Sequence, residues 1–229
     1  MSSFGALLLL GILLALLLAI AANERRRRAL EDSTTGHVKP EQLRPGDVLF
    51  MDWRRSPHCV IEAYDRFPYI HVGVVVEHLS DQRDVLVADI LADAHVQVRS
   101  LRMLFENDAD LTCAALCVRR GSGSGPGGEG RPRVPSQFQV SHLADRVFEP
   151  SGAHVIWSWA KSDRPTDSRR MFCSEFVTRV LLDNVPGLHL SNSMPSPGEL
   201  YAQLVYDPPH WYSPSLSLVE RPVKELPPT

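Results

Sequence analysis

Apolar and polar residues are spaced in three ways along this chain. Phe4 to Ala22 is an unbroken apolar run, Tyr69 to Glu77 alternates with period two, and Cys173 to Asp183 repeats with the helical period. In the alternating stretch Ile70, Val72, Val74 and Val76 share one side, and His71, Gly73, Val75 and Glu77 the other, which predicts a strand. Leu79 to Asp84 is a polar turn, and Val85 to Leu91 is the return strand of a hairpin. Val48 to Trp53, after the turn Leu43 to Asp47, reads as a short buried strand. Val96 to Arg99 and Leu111 to Val118 complete an antiparallel meander, with a helical turn over Leu101 to Phe105 between them. Val140, Leu143, Ala144, Val147 and Phe148 fit one face of a helix over Ser136 to Glu149, stopped by Pro150 and Gly152, and Val155 to Trp157 is strand-like.

In the helical repeat Cys173, Phe176, Val177, Val180 and Leu181 fall at i, i+3, i+4, i+7 and i+8. Ser174, Glu175, Thr178, Arg179 and Asp183 occupy the solvent side. Ser196 and Pro197 resemble an N-cap and first-turn proline for a last short helix through Leu204.

The two ends read differently. At about 1.5 Å per residue the run from 4 to 22 is long enough to cross roughly 28 Å of hydrocarbon. No Lys or Arg precedes it, whereas Arg25 to Arg28 follow it directly, which predicts an uncleaved single-pass anchor with the folded domain on the cytosolic side. A cleaved signal with Ala19-Ile20-Ala21 as its small-residue site, and hence secretion, is the alternative. The expected organisation is an anchor and basic flank over 1–30, a tether over 31–42, a domain over 43–206 and a proline-rich surface tail over 207–229. Within the domain, 121–133 is a flexible glycine-rich insertion. It is not a phosphate cradle, because no Gly-Lys-Ser or Gly-Lys-Thr opens a helix after it.

Composition narrows the chemistry. Of 229 residues 44% are hydrophobic and 22% charged, and the net charge is −3, so one globular core is expected and nothing favours a nucleic-acid partner. The four cysteines at 59, 113, 117 and 173 are too unevenly placed for a disulfide scaffold, which favours reduced thiols. Cys113 and Cys117 point the same way on one strand, but a zinc site would need two further ligands, so packing is the expected role and no metal or cofactor is predicted.

Cys173 is different, because it opens a helix. Unpaired N–H groups at a helix N-terminus favour anions, which suits a thiol that attacks carbonyls; the alternative is a small buried hydrophobe. His71 shares its face with Gly73, whose missing side chain leaves room for the end of the Cys173 helix to approach. Any hairpin register that keeps one apolar face together puts Asp89 on that face too, opposite His71 or on the adjacent diagonal. Glu175 is expected to cap its helix, and His58, His78, His95, His142, His154, His189 and His210 to be surface or satisfied histidines. Trp53, Trp157 and Trp159 fit core packing, with a lipid groove as the alternative.

A cysteine at a helix N-terminus, a histidine on a strand and a carboxylate beside it make up a papain-type division of labour, with the histidine ahead of the cysteine. The pieces Pro45-Gly46-Asp47-Val48-Leu49-Phe50, His71-Val72-Gly73-Val74-Val75, Val96-Gln97-Val98-Arg99-Ser100-Leu101, Phe172-Cys173-Ser174-Glu175-Phe176-Val177 and Pro197-Gly198-Glu199-Leu200 together resemble the circularly permuted NlpC-type papain-like enzymes. These are the YiiX-type amidases, with lecithin retinol acyltransferase and related lipid acyltransferases as cousins. The resemblance implies an α+β permuted papain-like fold, a small antiparallel sheet packed on the nucleophile helix, and the catalytic residues Cys173, His71 and Asp89. In that family the third residue is usually a glutamate, and this chain offers the shorter Asp89. The expected activity is a membrane-anchored thiol hydrolase of the amidase, peptidase or lipid-deacylase type, taking an acyl, amide or peptide substrate. Three alternatives stay open: a lipid acyltransferase, a silent binding module, and a protease for a ubiquitin-like modifier.

Overall fold

The computed structural model describes residues 10–18, 20–21, 24–25, 28, 34–53, 67–91, 95–119, 134–148, 170–206 and 211–222. The architecture is α+β around a mixed seven-stranded sheet. Its strands are β1 (His37–Val38), β2 (Val48–Trp53), β3 (His71–Leu79), β4 (Asp84–Ile90), β5 (Val96–Ser100), β6 (Leu111–Leu116) and β9 (Ser217–Val219), in the order β1-β9-β6-β2-β3-β4-β5. Only β1 and β9 run parallel; the other neighbours are antiparallel. Two more strands, β7 (Val147–Phe148) and β8 (Arg170–Met171), pair separately. The helices are α1 (Leu101–Asn107), α2 (Cys173–Asn184) and α3 (Pro197–Tyr206).

The centre of the sheet is covered on both faces. On one, Val48, Phe50, Val72, Val74, Val76, Ala88 and Ile90 meet Phe176, Val177, Val180 and Leu181 of α2 and Leu200 and Leu204 of α3. On the other, Leu49, Met51, Val75, Val85, Val87 and Ala115 meet Leu101, Leu104 and Phe105 of α1. Phe176, Val177, Val180 and Leu181 are wholly buried, and each such side chain contributes about 1.5–3 kcal/mol relative to exposure. The helical spacing of the chain is therefore what seats α2 on the sheet.

The turn before β2 is pinned by one buried carboxylate. Asp47 accepts from the backbone N–H of Arg44 at 2.8 Å and of Val118 at 2.9 Å, and its own carbonyl accepts from Val75 at 2.9 Å. Gly46 precedes it with φ +93, a conformation that glycine tolerates, and a Cβ there would come within 3.0 Å of the Phe138 ring.

Several expectations are corrected. Leu111–Leu116 does not follow β5 in a meander; it lies beside β2, in register from Val48↔Leu116 to Trp53↔Leu111. Ser136–Glu149 is not a helix over its described part, which holds a 3-10 turn at Ser141–Leu143 and then β7. Its backbone is engaged elsewhere. A bulge in β3 between Val75 and Glu77 leaves the Val76 carbonyl to accept from Phe138 N–H at 2.8 Å, while Gln139 and Asn184 exchange two hydrogen bonds. The tether 31–42 and the tail 207–229 were expected outside the domain, yet β1 and β9 are strands of the sheet. Leu218 N–H donates to the Gly36 carbonyl at 3.0 Å, and Glu220 N–H to that of Val38 at 2.9 Å. Arg221 then holds the end of the described tail, stacking over Phe105 and donating to the Phe105, Asp108 and Leu111 carbonyls.

Of the apolar run over 4–22, residues 10–18 and 20–21 are helical, and Leu10, Leu13, Leu14, Leu17 and Leu18 are exposed. Among the described residues no helix is long and apolar enough to cross a membrane. The insertion 121–133, the Val155 to Trp157 strand, Cys59, and the Trp157 and Trp159 side chains lie outside the described residues, as does the side chain of Trp53.

Asp47→Ala should lower the unfolding free energy by about 3 kcal/mol, since charged hydrogen bonds contribute about 1.5–3 kcal/mol each. Chemical denaturation followed by circular dichroism reads the loss, and an unchanged midpoint would show that the turn is held without the carboxylate.

Candidate functional site

His71 is the first residue of β3 and Cys173 the first of α2, so the sheet and the helix meet at their starting ends. All three expected residues are buried there: His71 is 5% exposed, Cys173 3% and Asp89 1%. The hairpin register runs Val74↔Ala88, which puts Asp89 opposite Gly73 and on the diagonal from His71, on one face. His71 Nε2 lies 3.0 Å from Asp89 Oδ2. An ionised carboxylate can only accept, so the ring's proton is on Nε2, and Nδ1 is left for Cys173, with which the imidazole makes a second side-chain hydrogen bond.

Electrostatics bind the three into one unit. Burial disfavours the protonated ring, but the negative charge of Cys173, hydrogen bonds to Asp89 and Cys173, and the charge of Asp89 outweigh it. His71 is raised from 6.5 to about 9. The ring is thus held as a proton carrier between the carboxylate and the thiol.

Gly73 does not play its expected part. Its missing side chain faces the second core, where a Cβ would meet Val87 Cγ1 at 2.9 Å and Met51 Cε at 3.0 Å, while α2 packs over Val72, Val74 and Val76 on the other face. The glycine lets Met51 and Val87 close over β3, and Cys173 reaches the ring at the strand's end. Ser174 and Thr178 were expected toward solvent and are buried instead. The Ser174 hydroxyl donates to the Pro195 carbonyl, tying the start of α2 to the segment that enters α3. Glu175 accepts from Phe172 N–H at 3.3 Å, a capping contact.

Arg99 was missed as a site residue. Its Nη2 donates to both oxygens of Asp89, at 3.0 Å to Oδ1 and 2.8 Å to Oδ2. The signal was strand parity carried one strand further: Asp89 pairs with Gln97, and Arg99 stands two residues along, on the same face.

Other candidates have separate places. Cys113 lies in the second core, where burial pushes its thiol far up, and Cys117 packs against the same core. His78 bonds the Glu41 carbonyl and Ser80, and His142 bonds Asp183 at the surface. Among the described residues no group of three or more His, Cys, Asp or Glu is arranged to hold a metal ion.

No family model and no curated protein matches the chain. Among solved structures it is similar to the metalloprotein YiiX of Escherichia coli O157:H7, at 17% identity and a TM-score of 0.36, over 79% of this chain and 98% of that one. A likeness that distant carries no weight for function, which rests on the side chains.

Because its pKa is raised on folding, protonated His71 contributes stability that is fully present below pH 6.5 and is lost as the pH rises through about 9. Ring-proton resonances should titrate near 9, and Cys173→Ala, which removes the largest raising influence, should bring that midpoint down. A midpoint unmoved by the substitution would mean that thiol and ring are not coupled.

Proposed function

We propose that this chain is a thiol-dependent acyl-transfer enzyme of permuted papain-like type. Cys173 is its nucleophile, His71 its base and Asp89 the group that orients the ring. One observation carries the reading: residues 71, 89 and 173, from three separate elements, converge in the interior with the imidazole bonded on both sides. A buried histidine needs one partner, and this one has a nucleophile as its second.

The chemistry follows from the contacts. The Cys173 proton passes to His71 Nδ1, and the thiolate sulfur adds to a carbonyl carbon while the oxygen takes the negative charge. The backbone N–H groups that a helix leaves unpaired in its first turn are the donors this reading assigns to that oxygen. As the tetrahedral species collapses, the imidazolium gives its proton to the departing amine or alkoxide, leaving a thioester on Cys173. His71 then takes a proton from water, or from an amine or hydroxyl acceptor, whose attack frees the thiol. Water makes the protein an amidase, peptidase or deacylase, and a lipid acceptor makes it an acyltransferase. The apolar run over 4–22 with Arg25 to Arg28 behind it supports an anchor that keeps this site near a bilayer and its acyl groups.

An iodoacetamide or acyl-phosphonate probe should label Cys173 in preference to Cys113, which is packed in the second core. With a substrate found by comparing lipids and peptides from cells carrying the protein or Cys173→Ala, His71→Ala should lower turnover about a hundredfold to ten-thousandfold. Asp89→Asn should keep more activity than His71→Ala, since the ring retains its contact with the thiol. Equal labelling of the cysteines, or full turnover by His71→Ala, would sink the reading.

Deletion of residues 1–22 should move the protein from the membrane pellet to the supernatant, with the intact chain's domain open to protease on the cytosolic face. An intact chain recovered in the supernatant, or one shortened near Ala22, counts against the anchor.

A further inference from the structure

We propose that Arg99 is a positioning residue of this site: its guanidinium fixes the plane of the Asp89 carboxylate and takes up part of its charge, so that the ring is held yet can still release its proton. The inference rests on the acyl-transfer reading above and adds a fourth member to its machinery.

The first support is geometric. A single nitrogen, Arg99 Nη2, reaches both Asp89 oxygens, and the one it approaches more closely, Oδ2 at 2.8 Å, is the oxygen that receives His71 Nε2 at 3.0 Å. The carboxylate cannot turn about its own axis without breaking one of these contacts. At 1% exposure it has little water to replace them.

The second support is what Arg99 forgoes. Its Nε is buried and, among the described residues, has no hydrogen-bond partner. An arginine placed only for stability would be expected to use that donor, because an unmet buried donor costs about 1–3 kcal/mol. Here the guanidinium sits where Asp89 is served.

The third support is the sign of the charge. Asp89 and the Cys173 thiolate both draw a proton onto His71, and a ring held too firmly as imidazolium is a poor acid toward a leaving group. Arg99 is the opposing charge. The groups that face the ring are Cys173 on α2, Asp89 on β4 and, behind Asp89, Arg99 on β5. Asp52 on β2, next to the Met51 that pairs with His71, alternates onto the face that α2 covers and is a further buried acidic group beside the start of β3.

The test needs no substrate. The rate of Cys173 alkylation by iodoacetamide is followed by mass spectrometry across pH in the full chain, for wild type, His71→Gln, Arg99→Met and Arg99→Lys, with circular dichroism confirming that each is folded. Wild type should show an inflection near 9 as His71 loses its proton, at the midpoint its ring-proton resonances report, and His71→Gln should remove it and leave only the ionisation of the thiol, about 8.5 for an ordinary cysteine. Arg99→Met should move that inflection upward by about one unit, the size of effect that a neighbouring charge has on a buried group. Arg99→Lys, which keeps the charge, should bring it back toward wild type. If Arg99→Met does not fold, Arg99→Gln reads the same shift with a donor retained. A folded, neutral Arg99 variant with the wild-type profile would overturn the inference and leave the acyl-transfer reading standing. A wild-type profile that His71→Gln does not alter would overturn that reading, and this inference with it.

Discussion

The constraint that orders this molecule is that the hairpin of β3 and β4 is buried on both faces. A strand with water on one side can carry polar residues at every second position, whereas one between two cores has no such positions. Val72 to Val76 accordingly shows valine on both parities beside one glycine, and its neighbours Val85 to Ile90 admit only one charged group, Asp89. A charge in such a place is tolerated only when paired and hydrogen-bonded. Asp89 satisfies this with His71 on one side and Arg99 on the other, so the polar cluster is the one arrangement that lets the carboxylate exist there.

That same burial explains why the cluster lies at the strand's end. The middle of β3 is closed by α2 on one face and by Met51 and Val87 on the other, and Gly73 is small because those two side chains meet over it. At His71, where β3 begins, a polar side chain of the sheet reaches the first residue of α2. Ser174, bonded to Pro195, fixes how that helix arrives. The place of Cys173 is thus set by packing on both sides of it.

What could be read from the sequence follows from which forces are local. Alternation gave β3, β4 and the shared face of His71 and Asp89, and the helical repeat gave α2 with its thiol at the first position. Pairings distant in sequence were not readable. Nothing in Leu111–Leu116 says that it lies beside β2 and not β5, and nothing in the proline-spaced tail says that Ser217–Val219 pairs with β1 and β6. The misread helix over Ser136–Glu149 has the same cause. Its apolar spacing is helical, but the bulge in β3 offers Phe138 a carbonyl and Asn184 offers Gln139 an amide, and those tertiary bonds displace the local ones.

Arg99 lies between these cases. Its parity with Asp89 was available once β4 and β5 were paired, yet an arginine at that spacing reads equally well as a solvated strand residue. What separates the two is the burial of its partner, a property of the third dimension. The pattern of a strand says which side chains share a face; only the depth of that face says which of them must bond. Among the described buried carboxylates Asp89 is the least exposed, and polar partners assemble around it from both directions. His71 links it to the thiol, and Arg99 closes it off from the far side.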